Sequence, residues 1–593
     1  DGINRLLRII TWVLVPVAVL LAWSQFRSNR AIADAARGSV AGTVTMVPEG
    51  LVLLTSIAFA IGAVRLARSK VVVRELPALE GLARVDVLCI DKTGTLTTGE
   101  LSLDAVLPLG GAAADDVRAA LAALAAADPS PNPTMTALRQ ALADAAPGWP
   151  AVARLAFSSS RKYSGADFGA NGAWLLGAPE IVGGEGVASR ELDGAMREAV
   201  EAGRRTLLLA RAEQLPVGDA ELGRREAVAL VVLRDVLRPD AASTLEFLAA
   251  QGVSVKVISG DNPRTVAALA TQLGLRLTGD PVDARTLPDV DSPQLRAALR
   301  DRDVFGRVVP QQKQAIVAAL QAGGHTVAMT GDGVNDVLAL KSADLGIAMG
   351  SGTQAARGVA QLVLLDDAFS AVPKVVAEGR RVIANVERVA NLFLTKTVYA
   401  TVLALTVGVL SLPFPFLPRH LTLVSGVTIG IPGFFLALAP NAKRARKGFM
   451  GRVLRFAIPA GVVAAAATFG AYSMARSEPT TSLESARTVA TLVLAGVALW
   501  VLSILTRPAT RARQWLIASM VGLLVAALVV PWSREFFALT FPRPVLWLAG
   551  VGVAGLAGLA LEGGWLAAAS VQSLVAGWRN RRRRRGRRSV GQS

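Results

Sequence analysis

An aspartate opens the most informative stretch of this chain, Asp91-Lys92-Thr93-Gly94-Thr95-Leu96-Thr97, which directly follows the apolar run 85–90. Such a run reads as a buried strand, and open α/β sheets place their active sites at the carboxyl ends of strands. A carboxylate there can attack the γ-phosphate of ATP and carry the phosphoryl group as an aspartyl-phosphate. The small Thr and Gly residues beside it let backbone N–H groups approach phosphoryl oxygens.

Three further groups fit the same chemistry. Thr330-Gly331-Asp332-Gly333-Val334-Asn335-Asp336 follows another strand-like run, and Asp332 and Asp336 are hard oxygen ligands suited to Mg²⁺. Ser259-Gly260-Asp261-Asn262 ends the apolar run 253–258, where a hydroxyl and backbone can hold a phosphoryl oxygen. Lys313, in Pro310-Gln311-Gln312-Lys313, opens a helix and can set an ammonium on a transferring phosphate.

Two kinds of element must position these residues. Apolar runs at about 7–26 and 40–64 open the chain, and six more follow at about 389–411, 419–439, 453–474, 486–505, 514–531 and 544–561. Each is near the ~20 residues a helix needs to cross a bilayer. Between them the chain reads as soluble α/β, with strand-like runs at 85–90, 228–233, 253–258 and 326–329 alternating with helices as in a parallel sheet. The Ala-, Gly- and Pro-rich stretch 106–226 reads as a domain inserted between halves at 71–105 and 227–388. This division leaves two spans in 1–70, six in 389–578 and a basic tail at 579–593.

Composition agrees with a membrane protein. Hydrophobic residues make up 52% of the 593 and charged residues only 18%, too apolar a balance for a soluble chain of this size. Formal net charge is +18. Basic clusters follow the second span (Arg65, Arg68, Lys70), the fourth (Lys443, Arg444, Arg446, Lys447) and the sixth (Arg507, Arg511, Arg513). A last one ends the chain, at 581–585 with Arg587 and Arg588. All fall on one side if every run crosses, which orients that side and the α/β block to the cytoplasm. The terminal arginines read as an anchor on anionic lipid, not as a nucleic-acid tail. One cysteine, Cys89, and two histidines exclude an intrachain disulfide and any Cys- or His-rich metal cluster.

In the second run, Val47-Pro48-Glu49-Gly50 interrupts an otherwise apolar helix. Pro48 has no N–H, so the ladder breaks and carbonyls become free to bind a cation. Glu49 is a carboxylate at membrane depth, costly unless paired or ion-bound.

These residues together resemble the P-type ATPases, over essentially the whole chain and in the same order of parts. The resemblance implies a multidomain membrane protein: an α-helical transmembrane bundle with a cytoplasmic α/β, haloacid dehalogenase-like phosphorylation domain and an inserted α+β nucleotide-binding domain. It implies ATP and Mg²⁺ as cofactors, a lipid bilayer and a transported cation as partners, the plasma membrane of a bacterium as location, and a working monomer. By the same match Asp91 is the phosphorylated residue, Lys92 lies in its motif, and Thr93 touches phosphate and Mg²⁺. Ser259 stands where the family usually has threonine, with Gly260 and Asp261 completing that motif. Lys313 matches the phosphate-neutralising lysine, and Asp332 and Asp336 match the Mg²⁺-site aspartates. Asp235 and Arg238 resemble the hinge near the nucleotide. In the inserted domain Phe157 is similar to the adenine-stacking phenylalanine, with Arg161 and Lys162 following. Gly177-Ala178-Pro179-Glu180 is similar to a nucleotide-pocket motif, and Arg205 to a nucleotide-contacting arginine. Leu176 stands where many members have lysine, which implies one missing phosphate-side contact.

Pro-Glu-Gly in the second run resembles cation pumps of the calcium class. Alignment through Asn385 puts Thr397, Ser425 and Thr428 among the ion ligands. Ala400 and Ile429 stand where animal reticulum pumps have acids. Lys396, about 12 Å along its helix from Arg388 at ~1.5 Å per residue, either counters Glu49 or snorkels to the interface. The segment 428–435 with Pro440 and Asn441 resembles a bacterial branch that includes calcium exporters, which makes Ca²⁺ the first expectation. Mg²⁺, Mn²⁺ or H⁺ through the same machinery remain open, as does a membrane-tethered phosphohydrolase or pseudo-pump without transport. Thr98-Gly99-Glu100 spells the family's dephosphorylation motif, but in the hinge after Asp91 and not in an actuator domain. The chain begins at Asp1 without that domain, so it is read as N-terminally truncated and is expected to hold its aspartyl-phosphate.

Overall fold

The computed structural model describes residues 2–28, 31–158, 161–183, 190–216, 222–288, 292–440, 448–508, 510–541 and 543–589. The chain divides into two compact units, 1–62 with 380–593, and 63–379.

The first unit is helical, and the described residues contain eight segments long and apolar enough to cross a membrane. Gly2–Ser28 is the first. The second is split into Ile32–Met46 and Glu49–Arg68. Pro48 cannot donate, so Val47 turns extended (φ −82°, ψ 126°) and its N–H reaches back to Val44 O at 3.2 Å. The ladder restarts where Leu51 N–H meets Pro48 O at 3.1 Å. Ala371–Leu410 is one helix of 40 residues, so the span expected from 389 begins inside a longer element. Once a helix is nucleated, each added residue gains a hydrogen bond whatever its polarity. The polar stretch 371–388 hid this continuity from a hydropathy reading.

Pro418–Ser425 and Ile431–Leu438 are joined by a single π-helical turn, Gly426–Gly430. Then come Phe449–Ser477, Leu483–Leu505, Arg511–Val529 and Pro544–Ser589, whose apolar part is Pro544–Ala567. Helices approach closely at glycines. A Cβ on Gly50 would lie 2.6 Å from the Phe393 ring, and one on Gly461 would lie 2.5 Å from Val398. The basic cluster Lys443, Arg444, Arg446 and Lys447, and Asn441, lie outside the described residues.

The second unit carries two sheets. Its strands are β1 (Val71–Val73), β2 (Val87–Asp91), β3 (Thr97–Pro108), β4 (Ala153–Leu155), β5 (Tyr163–Asp167), β6 (Ala173–Gly177) and β7 (Arg205–Ala212). The remainder are β8 (Arg225–Leu237), β9 (Ser254–Ile258), β10 (Val282–Asp283), β11 (Val304–Gly306), β12 (Val327–Gly331), β13 (Leu345–Met349) and β14 (Leu362–Leu364).

One sheet runs β1-β14-β13-β12-β2-β9-β11-β10, parallel except for β1 on its edge. Strand β2 lies between β12 and β9, and all five of its residues are buried. Parallel neighbours end on one side, so the carboxyl ends of β2, β9 and β12 coincide. The other sheet, β3-β8-β7-β6-β5-β4, is wholly antiparallel. It draws on residues 97–237, either side of the 106–226 expected for the insertion.

The run 228–233 is a correction: it lies in β8 and pairs antiparallel with β3 and β7, outside the parallel sheet. A continuous apolar run marks only a strand covered on both faces. Here Ala229, Val231 and Leu233 enter one apolar cluster while Leu230 and Val232 enter another. Leu176 is buried in the first of these beside Phe168 and Trp174, so its side chain belongs to the core of the antiparallel sheet.

Candidate active site

Asp91 is the last residue of β2, and the chain must turn away from it at once. Gly94 makes that turn with φ +70°, and a Cβ there would sit 1.7 Å from Asp332 Oδ2. Only glycine allows the two motifs to meet this closely. Asp332 and Asp336 come from the loop after β12. Gly331 is similarly required, because its Cβ would fall 2.6 Å from the Asp336 carboxyl carbon. Lys313, in the first turn of helix Pro310–Ala322, reaches Asp91 Oδ1 at 3.1 Å and donates to Asp336 Oδ1 at 2.6 Å.

Oxygens of Asp91, Asp332 and Asp336 lie within 4.8 Å of one another. Three carboxylates therefore face one ammonium, an excess of negative charge that a divalent cation would neutralise. Hard oxygen donors at this separation fit Mg²⁺. Burial pushes the Asp91 carboxyl up to about 7; Lys313 pulls against that, while Asp336 and Asp332 add to it. Burial and Asp336 also raise Asp332. Burial opposes the Lys313 charge, but Asp91 and Asp336 outweigh it and raise its pKa.

Lys92 takes a different course. It is fully buried, donates to Asp235 Oδ2 at 2.6 Å and pairs with Asp261. Arg205 meets Asp235 Oδ1 and Asp261 Oδ2, each at 3.2 Å. Burial works against the Asp261 charge, but Lys92 and then Arg205 hold its carboxyl below the usual range. Two cations and two carboxylates thus satisfy one another. Lys92, Arg205, Asp235 and Asp261, expected to face phosphate or nucleotide, form a bracket tying β2 to β8 and β9. Spacing along the chain carried no sign of it, because the four residues come from four separate segments. Arg238 closes the same region by donating to Gly94 O at 2.8 Å.

Ser259 is buried, and its Oγ accepts from Asp261 N–H at 3.2 Å, which leaves Gly260 at the apex of the turn. Thr93 is half-buried. Thr330, next to last in β12, has a fully buried Oγ1 with no hydrogen-bond partner among the described residues, and the Thr95 hydroxyl is likewise buried and unpartnered. Both belong to the quoted motifs without having been singled out. An unsatisfied buried hydroxyl was the missing signal, and only packing reveals it.

Other expected residues lie between β4 and β5 or on the strands of the antiparallel sheet. Phe157 is 47% exposed, an apolar ring left open to a partner. Arg161 donates to Ala156 O at 2.9 Å, and Lys162 adopts φ +62° with its carbonyl held by Ala178 N–H at 3.0 Å. A Cβ on Gly177 would meet Lys162 O at 2.6 Å, so that glycine lets the two strands close. Glu100 is exposed on the irregular start of β3, beside Gly99 at φ +84°.

In the helical unit Pro48 is buried but Glu49 is exposed. Thr397 is 7% exposed with an unpartnered Oγ1, whereas Thr428 Oγ1 donates to Val424 O at 2.7 Å. Ser425 is half-buried, immediately before the π-helical turn. Lys396 interacts electrostatically with Glu49. It also lines a small cavity with Thr395, Tyr399 and Thr428.

Residues 85–344 match the haloacid dehalogenase-like hydrolase family. The calcium-transporting ATPase CtpE of Mycolicibacterium smegmatis is 46% identical over 581 residues, which cover 95% of this chain and 71% of that protein. The protein of the same name from Mycobacterium tuberculosis is 48% identical over 559 residues, 91% of this chain and 69% of its own. The probable cation-transporting ATPase exp7 of Streptococcus pneumoniae is 38% identical over 433 residues, 70% of this chain and 54% of its own.

A buried aspartate at the carboxyl end of a parallel strand, in a chain whose described residues hold eight membrane-length helices, fits a membrane-embedded phosphoryl-transfer protein. The chain belongs to the P-type cation-transporting ATPases. It is a multi-pass membrane protein whose α/β unit lies in the cytoplasm.

Proposed function

We propose that this chain uses ATP to move Ca²⁺ out of the cytoplasm through phosphorylation of Asp91. The observation that carries the chemistry is Lys313 held between Asp91 and Asp336, with Asp332 beside them. An Asp91 carboxylate oxygen attacks the γ-phosphorus of ATP. A new P–O bond forms, the bond to the β,γ-bridging oxygen breaks, and ADP leaves with that electron pair. Lys313 offsets the charge on the transferring group. Asp91, Asp332 and Asp336, with Thr93 at the edge, would hold Mg²⁺, which when bound screens phosphate charge and keeps Asp91 ionised. Ser259 and Gly260 border the phosphoryl oxygens. The exposed face of Phe157 takes the adenine, with Arg161, Lys162 and Gly177 around it, and Arg238 steadies Gly94. Lys92, Arg205, Asp235 and Asp261 position Asp91 without touching phosphate.

For the cargo, the helix break at Pro48 supplies carbonyl oxygens next to Glu49. Thr397, Ser425 and Thr428 offer neutral oxygens. A flexible, oxygen-rich site suits Ca²⁺, which takes about six to eight such ligands, better than the smaller and more demanding Mg²⁺. Relatives named calcium-transporting support the same ion. With one carboxylate, a single ion moves per cycle.

Inverted membrane vesicles carrying the full-length protein, offered Ca²⁺, Mg²⁺, Mn²⁺ and a pH gradient dye in turn, test this. ATP-dependent Ca²⁺ uptake is expected. Accumulation of Mg²⁺ or Mn²⁺ without Ca²⁺ would overturn the cargo and leave the ATPase intact.

A further inference from the structure

Arg388, on helix Ala371–Leu410, is only 7% exposed, and its Nη1 meets no acceptor among the described residues. The adjacent acid is committed elsewhere: Glu387 takes Arg452 on both oxygens, at 2.9 and 2.7 Å. The electrostatic neighbour of Arg388 is another cation, Arg513. Arg513 lies in the first turn of helix Arg511–Val529 and donates to Thr506 O at 3.1 Å, Pro508 O at 2.8 Å and Pro440 O at 3.4 Å. Asn385, one turn before Arg388, holds Ala437 O and Ala439 O at 3.1 and 2.7 Å. The stretch after Pro440, Asn-Ala-Lys-Arg-Ala-Arg-Lys, has no carboxylate in its sequence.

Among the described residues neither guanidinium group has a carboxylate partner, and Arg388 is largely out of water. An unpaired buried charge is strongly unfavourable, and two like charges compound it. Phosphate fits the two arginines chemically, because guanidinium groups bind it through paired, charge-assisted hydrogen bonds. Both arginines sit on helices of membrane length. At the cytoplasmic edge of such helices, basic pockets meet the phosphates of anionic lipids.

We propose that Arg388 and Arg513 form a binding site for the phosphate of an anionic phospholipid headgroup. The site is independent of which cation is moved.

The test is lipid retention by native mass spectrometry of the protein purified from phosphatidylglycerol nanodiscs. The wild type should keep phosphatidylglycerol. Arg388→Gln and Arg513→Gln should each hold it about tenfold more weakly, the loss of one charge-assisted contact. Arg455→Gln, which removes an exposed arginine from helix Phe449–Ser477, should not. Should Arg388→Gln fail to fold, Arg388→Lys and Arg513→Gln decide the matter, with a smaller loss expected for the first and the same roughly tenfold loss for the second. Retention equal to wild type in these variants would overturn the site and leave Arg388 an internal cation paired by another polypeptide segment. Sulfate is added in phosphatidylcholine nanodiscs as the water-borne arm. Thermal stabilisation by sulfate that Arg388→Gln abolishes would assign the pair to a soluble oxyanion and overturn the lipid.

Discussion

The Asp91 cluster and the Pro48–Glu49 break are both carboxylate sites, built in opposite ways. At Asp91 three carboxylates and one lysine are enclosed; two adjacent parallel strand ends deliver the carboxylates and the first turn of a helix delivers the lysine. At Glu49 one exposed carboxylate stands beside a broken ladder, with hydroxyls that are bonded to their own helix or unpartnered. The first arrangement suits chemistry. Charge develops on a transferring group for an instant, and groups already in place stabilise it without reorganising. The second suits passage, because an ion must be bound and then released, and a rigid, charge-dense cage would hold it. On the proposed assignment of these two sites, the molecule concentrates its order where bonds change and keeps its transport site sparse.

Deleting the nucleophile tests the dense side most severely. Asp91→Asn keeps the shape and removes the attack, so labelling by ATP as an acid-stable, hydroxylamine-labile adduct should fall to background. That exceeds the ~10²–10³-fold cost of losing one stabilising contact. Labelling that persists in the variant would refute the assignment.

Glu49→Gln should break the sparse side alone. Ion-dependent phosphorylation and uptake should vanish while nucleotide binding, followed by a fluorescent ATP analogue, stays at wild-type affinity. Normal transport by this variant would remove Glu49 from the site.

A smaller effect is expected from Gly94→Ala. The new methyl group cannot coexist with Asp332 as placed, so Asp332 must move and Mg²⁺ dependence of phosphorylation should weaken by about 10- to 100-fold. An unchanged Mg²⁺ titration would show that Asp332 is not a ligand.

The raised Asp91 carboxyl gives a signed pH dependence in metal-free conditions. The folded protein keeps a proton that the unfolded chain releases. Stability should therefore fall as pH rises from about 4, the ordinary carboxyl value, to about 7, the folded value. The slope for this one group is at most ~1.4 kcal/mol per pH unit. Thermal denaturation in chelator should show a flatter profile for Asp91→Asn across that window, and equal slopes would contradict the burial cost. Glu100→Gln should do the least. Despite its Thr-Gly-Glu setting, Glu100 is exposed on the start of β3, and phosphoenzyme lifetime in the variant should match wild type.

Much of this molecule is written in local chemistry. An aspartate after an apolar strand, acids after a second strand and a proline inside a membrane-length run each carry their meaning within a few residues. The eight spans were legible for the same reason, since hydropathy over about 20 residues is a local property. The edges were not. Ala371–Leu410 extends through a polar stretch because helix propagation ignores polarity, and the run 228–233 went to the antiparallel sheet because an apolar strand covered on both faces looks alike in either kind of sheet. Tertiary structure alone decided the fate of Lys92. By sequence it belongs with Asp91, yet consecutive strand-end residues point to opposite sides, and burial forces its ammonium onto Asp235 and Asp261. Sequence by itself determined which groups could react. Which of them meet, and which are held in mutual pairing, followed from the coincidence of strand ends and from the cost of leaving a buried charge alone.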